Sequence, residues 1–393
     1  MKDHVIIAGA GPTGLLTAIG LAKAGTQVTI LEAGDKLNET PRALVYHYPV
    51  LPHLDRMGLL DDCIAAGFVR QDFAWRVHSS GEMLRWSLSC LDGIAPHPYA
   101  LHLHQGELSA VLARHVAATP GVNLRFSSRV TGARQTDGSV IVEIDGPAGP
   151  ETLEAAYLIG ADGGGSTVRQ QVLGLNFFGT TWPNRYLATN LEIDLGGQGY
   201  ANATMQIDET YGSVICKIDT GNMWRVTLME DPSLPEDQIA ERIETEFRKF
   251  LPDTPWRLDT FSPYRMHQRV ADRMRVGRIL LVGDAAHITN PTGGLGLTGG
   301  MFDAFALIEV LNRVIHGGAG EDLLDFYDRD RRRTFIEVTS PRASDNLRTM
   351  YYMKSGVQKD DWIDRTRAIG KSDALMREAF GFTESMQTRF PGE

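Results

Sequence analysis

The sequence predicts an α/β fold (α+β overall): a parallel-sheet domain, a mostly antiparallel sheet inserted into it, and a helical C-terminal segment. Three observations predict it. The first 32 residues run strand, glycine turn, helix, strand. From Phe177 to about Met266 the texture changes to alternating apolar and polar residues, the signature of antiparallel strands. Apolar αβ character then returns at Arg278-Ile279-Leu280-Leu281-Val282-Gly283-Asp284.

The N-terminal unit carries the strongest signal. Val5-Ile6-Ile7-Ala8 is an apolar strand ending in Gly9-Ala10-Gly11-Pro12-Thr13-Gly14. A helix follows to Lys23, then a strand ending in Leu31-Glu32-Ala33. This is a Rossmann-like fingerprint. Gly9 permits the tight turn, Gly11 lets backbone N–H groups approach a pyrophosphate, and Gly14 lets the helix sit close on the sheet. The helix N-terminus offers partial positive charge to phosphates. Glu32, 18 positions after Gly14, can accept hydrogen bonds from a ribose diol. FAD and NAD share this device.

After a break at Thr40-Pro41-Arg42, an amphipathic stretch covers Leu51 to Leu60. Gln71 to Tyr99 alternates as sheet, with Trp75, Val77, Leu84 and Trp86 on core faces. Gln105 opens a helix bearing Leu108, Val111, Leu112 and Val116 at helical spacing. Val122–Ser127, Val140–Ile144 and Leu153–Ile159 read as strands. In the inserted sheet, Leu187–Ile193, Ser213–Ile218 and Trp224–Met229 are strands, and Asp237 to Phe250 is a helix. A long helix begins near Gly299. The divisions expected are 1–176, 177–268, 269–345 and 346–393, the first and third forming one discontinuous domain.

Bulk properties narrow the function. A net charge of −10, from 39 basic and 49 acidic side chains, argues against nucleic acid or an anionic membrane as the main partner. The first strand begins near residue 4, which leaves no room for a signal peptide, and no apolar run reaches the length of a membrane span. Cys63, Cys90 and Cys216 are too scattered for a disulfide framework or a zinc site and suit a reducing cytoplasm. No metal is expected. His102, His104 and His97 lack a carboxylate or cysteine at ligand spacing and read as structural. The mixed-sign run Arg329 to Arg333 reads as a solvated helix face.

Two later motifs repeat the physics of the first. Residues 158–169 carry an apolar strand into Asp162-Gly163-Gly164-Gly165-Ser166, with Arg169 beyond. Residues 278–304 carry one into Gly283-Asp284, then a glycine-rich turn. With these three motifs the sequence, over residues 1 to about 345, resembles flavoprotein aromatic hydroxylases of the para-hydroxybenzoate hydroxylase type. The resemblance implies FAD bound by Gly9, Gly11, Pro12, Thr13, Gly14, Glu32 and Ala33 at its ADP end. It also implies contacts from Arg42, Gln105, Asp162, Arg169, Gly283 and Asp284, and a flavin loop of Pro291 with Gly294, Leu295, Gly296 and Leu297. The chain departs from that family at Asn290, Thr298 and Phe305.

The reaction so implied takes NADH or NADPH and O2 and hydroxylates a small hydroxylated aromatic or N-heteroaromatic ring through a flavin C4a-hydroperoxide. No second G-x-G-x-x-G unit separates NADH from NADPH. A homodimer is a family-level expectation. Arg225 and Lys217 are the cations expected to meet an acidic substrate, with Tyr211 and Pro291 beside it. His47 is the candidate base facing the flavin, with Tyr211 and Tyr264 as alternatives, and His47, Arg225 and Pro291 form the expected catalytic set. Two other readings keep the flavin: a reductase or dehydrogenase of a quinone or isoprenoid, and a non-enzymatic redox module.

Overall fold

β1 (His4–Ala8) lies centrally in a six-stranded sheet and is buried from Val5 to Ala8. The computed structural model describes residues 3–38, 43–251 and 254–390, so Arg42 lies outside the described residues. β1 pairs in parallel with β2 (Gln27–Leu31) on one side and with Tyr157–Gly160 on the other. Ile279–Leu281 and Val122–Arg125 extend the two flanks in parallel, and Arg275–Val276 adds an antiparallel edge. The continuous apolar run of β1 follows from burial on both faces.

Helix α1 (Pro12–Lys23) packs against Gln105–Ala118 and Leu295–Ile315. The last of these is long and apolar enough to cross a membrane by length and composition, which corrects the expectation that no segment is. It is mostly buried within the fold: Gly300, Ala304 and Leu307 fill a core position against neighbouring elements.

The apolar stretch 153–159, expected as one strand, serves two sheets. Gly149–Ala155 closes a three-stranded antiparallel sheet, and Tyr157–Gly160 enters the parallel one. Alternation therefore changes partner at Ala156, which a sequence period cannot register.

The second sheet has eight strands in the order His287–Ile288, Trp256–Ala271, Phe177–Ile193, Met223–Glu230, Ser213–Lys217, Ala203–Ile207, Asp72–Val77, Met83–Ser87. Two of its strands come from within 1–176, and the Asp72–Val77 contact with Ala203–Ile207 is parallel. Helix Ile239–Phe250 buries Ile243 and Phe247 among Leu191, Trp224 and Val226. At the other end of the chain, Trp362 meets Trp75 edge-on at 4.9 Å, which docks the C-terminal helices on this sheet.

Candidate active site

A cavity of about 1090 Å³ runs from the first glycine turn to the eight-stranded sheet. The turn exists because Gly9, at φ +104°, passes so close to the Asp-Gly segment that a Cβ would stand 2.5 Å from the Ala161 carbonyl oxygen. Gly11 opens onto free space, and the helix behind it starts at Pro12 with no side-chain cap. Its first N–H groups are therefore left to meet a ligand. Glu32 accepts from Ala10 N and Gly34 N, each at 2.8 Å, which fixes the carboxylate at the cavity wall. Thr13 and Ala33 line the same end.

Gly14 and Gly283 do not line the cavity; they let segments approach each other. A Cβ at Gly14 would lie 2.2 Å from the Gly9 carbonyl oxygen, and one at Gly283 would lie 2.8 Å from Thr13. Asp162 reaches the wall, but its carboxylate accepts from Ser166 Oγ and from Val168 N at 3.1 Å. Burial pushes its pKa up against those bonds. Arg169 corrects the reading that it meets the cofactor directly. It is 1% exposed, and donates to Ala285 O at 2.8 Å and Gly164 O at 2.7 Å under the ring of Phe177. It staples the Asp-Gly turn to the Gly-Asp turn from behind.

Gln105 faces the cavity at the start of a helix that His104 caps, Nδ1 accepting from Gly106 N. Asp284, Pro291 and Gly294–Leu297 form the opposite wall. Thr298 spends its hydroxyl on Gly294 O at 2.9 Å, and Phe305 stacks on His53 at 4.4 Å. Behind this wall Asp303 is wholly buried, paired with His287 Nε2 and Arg331 Nε, each at 2.7 Å. Burial raises its carboxyl, but His287 and Arg331 beside it outweigh that and hold it down at about 2.

His47 is half-buried on the wall, its Nε2 2.7 Å from Gly293 O and its ring stacked on Phe73. Burial lowers its pKa, so at neutral pH it is an uncharged imidazole with the Nε2 proton committed to that carbonyl.

Arg225 lines the cavity on the eight-stranded sheet and is 7% exposed, its Nε donating to Asn190 Oδ1 at 3.1 Å. Burial lowers its pKa as well. Cys216 stands directly across the strand pair and shares this face, its thiol pushed up by burial to about 12. Tyr264 is a neighbour on the wall, its phenol also raised by burial.

Lys217 and Tyr211 are not in the cavity. Successive strand residues face opposite ways, so Cys216 pointing in sends Lys217 out, where its ammonium lies 5.7 Å from the Trp224 ring. Tyr211 stacks on Phe250 at 5.7 Å, in the turn before the strand. His102 is buried against Phe68, and His97 meets Asp55.

Sequence reading missed the C-terminal contribution. Ala379, Phe380, Phe382 and Thr383 line the cavity. Phe380 meets Phe73 at 5.6 Å and Trp86 at 6.0 Å, and the Arg342 guanidinium sits 4.5 Å over Phe382. Tyr48 OH, donating to Glu384 Oε1 at 2.6 Å, holds this segment down. The run Ala379-Phe380-Gly381-Phe382 was the available signal: two aromatics beside a glycine in an otherwise polar stretch.

A family model described as an FAD binding domain matches residues 2–340. The chain belongs to this FAD-binding family. Among relatives of this flavoprotein, the 6-hydroxy-3-succinoylpyridine 3-monooxygenase of Pseudomonas putida is 58% identical over 99% of both chains. The para-nitrophenol 4-monooxygenase of a Pseudomonas species is 41% identical over 96% of this chain and 92% of its own. The crystal structure of p-nitrophenol 4-monooxygenase from Pseudomonas putida superposes with a TM-score of 0.94 at 39% identity, covering 98% of each chain. An aklavinone-11 hydroxylase in complex with FAD and aklavinone gives 0.78 at 28% identity, over 89% of this chain and 70% of that one. The flavoprotein is an FAD-dependent aromatic-ring monooxygenase that draws on NAD(P)H. Its cavity suits that cofactor: the cradle at Gly11 is open, the helix N-terminus behind it is uncapped, and the void continues unbroken to the aromatic end.

Proposed function

We propose that this flavoprotein hydroxylates a small ring already bearing a hydroxyl, with an N-heteroaromatic carrying an acidic chain as its preferred class. The observation that carries this is Arg225, a buried guanidinium on a cavity wall that also presents the aromatic rings of Phe73, Trp75, Trp86 and Phe380. A cation in that setting favours the anionic form of a phenol or a carboxylate, because low local dielectric strengthens the attraction. The name of the 58% identical relative, which specifies a hydroxylated, succinoylated pyridine, agrees with that chemistry.

In this reading Gly9, Gly11, Pro12, Thr13, Glu32 and Ala33 hold the ADP part of FAD, with Asp162, Gln105 and Asp284 along the middle. Pro291 and Gly294–Leu297 meet the ring. Bound FAD supplies the hydride acceptance and the oxygen transfer. The protein's residues do the rest. Arg225 favours the deprotonated ring hydroxyl, the form in which the ring is more electron-rich, or anchors an acidic side chain. The aromatic walls and Phe382 exclude water from the reacting face. His47 orients the loop through Gly293 and is a positioning group. The buried free thiols fit a reducing cytoplasm.

The test is a screen of hydroxybenzoates and hydroxypyridines, with and without carboxylate side chains, for stimulated NADH and NADPH consumption under labelled dioxygen. Label in a ring hydroxyl of an acidic substrate is expected. Stimulated consumption that ends wholly in hydrogen peroxide for every ring would overturn the reading.

A further inference from the structure

The turn before the flavin loop is held by a buried polar pair on two different elements. Asn290 is wholly buried, and its Nδ2 donates to Gln268 Oε1 at 3.0 Å. Its Oδ1 accepts from Thr292 N at 3.0 Å, and the Thr292 hydroxyl stands between that oxygen and Ala343 O. Gln268 is 6% exposed and turns its Nε2 to Ser340 Oγ and Ser344 Oγ, each at 2.7 Å. Trp182 Nε1 donates to the same Gln268 oxygen at 3.3 Å. The network therefore joins four segments: the loop, the Trp256–Ala271 and Phe177–Ile193 strands, and the Ser340–Tyr352 helix.

Position gives this network a consequence for the reaction. Tyr264 and Met266 line the cavity and lie four and two residues before Gln268, on the same face of one strand. Pro291, immediately after Asn290, lines the opposite wall. Between them, Gly293 and Gly294 stand at φ +85° and +68°, so the loop backbone is intrinsically loose and takes its shape from outside bonds. His47 supplies one such bond at Gly293, and Asn290 supplies the other at the loop's start.

We propose that Asn290 and Gln268 act as one positioning unit, setting the distance between the substrate-lining strand and the Pro291–Leu297 loop and thereby the seat of the flavin ring. This rests on the placement of the ring against that loop given above. Neither residue touches the reacting atoms, and they act through the loop. An apolar replacement of either leaves buried polar groups without partners, so the loop has reason to shift rather than collapse quietly.

The experiment compares Asn290→Ala, Gln268→Met and the double variant with the wild type, each loaded with FAD. Ile243→Ala, in the core behind the sheet, serves as a control of lowered stability. The first readout is the midpoint potential and visible spectrum of bound FAD without substrate. The second is the share of NAD(P)H electrons ending in hydrogen peroxide when a turning-over ring is present. The unit is expected to shift the potential and spectrum, and to raise the peroxide-to-product ratio on the order of ten- to a hundredfold. The double variant should be no worse than the worse single one. Unchanged potential and spectrum, additive losses, or an equal shift in Ile243→Ala would overturn the proposal. Where Asn290→Ala fails to accumulate, Asn290→Asp, which keeps the oxygen facing Thr292 and removes the donor to Gln268, is read the same way. Shifted potentials with no hydroxylated product from any ring would sink the proposed function and leave this inference standing. Wild-type potentials with clean hydroxylation would do the reverse.

Discussion

His47 Nε2 lies 2.7 Å from the carbonyl oxygen of Gly293. The two residues are 246 positions apart in sequence, and the contact ties the segment after β2 to the Pro291–Leu297 loop. Since a carbonyl only accepts, the imidazole carries its proton on that nitrogen and is not a free base there. His47→Ala is expected to lower kcat about tenfold with little change in KM, because it loosens loop geometry more than substrate binding. Steady-state kinetics and peroxide yield check this.

Arg225 should discriminate substrates by charge. Arg225→Gln is expected to lower kcat/KM for anionic rings roughly a hundredfold, and much less for neutral ones. Arg225→Lys should not restore it, since a point charge cannot reproduce the guanidinium fork that reaches Asn190. Matched pairs of acid and amide substrates measure the difference.

Asp303 anchors the Gly-Asp turn by accepting from Gly283 N at 3.2 Å while pairing with His287 and Arg331. Asp303→Asn leaves the Arg331 guanidinium partly uncompensated in the core, so a loss of about 3–5 kcal/mol is expected in urea unfolding. The carboxyl sits at about 2 in the fold and near 3.9 when unfolded, so its contribution is full above the higher value. It is lost as pH falls through the lower one.

Acid should destabilise the protein earlier, through His102. Burial lowers this imidazole to about 4, against roughly 6.5 in an unfolded chain. Its folding contribution is complete above the unfolded value and shrinks as pH falls from there to about 4, where the unfolded state binds the extra proton. His102→Gln keeps an amide donor for Lys217 O and should flatten the pH dependence of Tm across that window.

Phe380→Ala should let water into the substrate end. Coupling of NAD(P)H oxidation to hydroxylation is expected to fall severalfold, while FAD affinity holds because the ADP end lies elsewhere in the cavity. Peroxide assay and FAD titration separate the two effects.

The glycine turns were legible because their requirements are local. Gly9 sits at φ +104° and Gly14 closes on the Gly9 carbonyl, both requirements of one βαβ unit, and the αβ periodicities around them lie within a few residues. Lys217 and Arg225 were not separable in the same way. Which of them faces the cavity depends on the register that sets Cys216 opposite Arg225, and register is decided between strands. Arg169 looked like a cofactor residue because its motif points at one, but its length takes the guanidinium past the wall to Ala285. Phe380 was invisible for a different reason: its neighbours Phe73 and Trp86 are about three hundred positions away, and no pattern in the helices announces where they dock.

One wall residue has a bearing on how long the catalyst lasts. The cavity proposed to hold the flavin carries the sulfur of Cys216 in its lining. Thiolates are the form that oxidants attack, and burial keeps this thiol protonated at any physiological pH. Burial thus leaves Cys216 in the form that oxidants attack least readily.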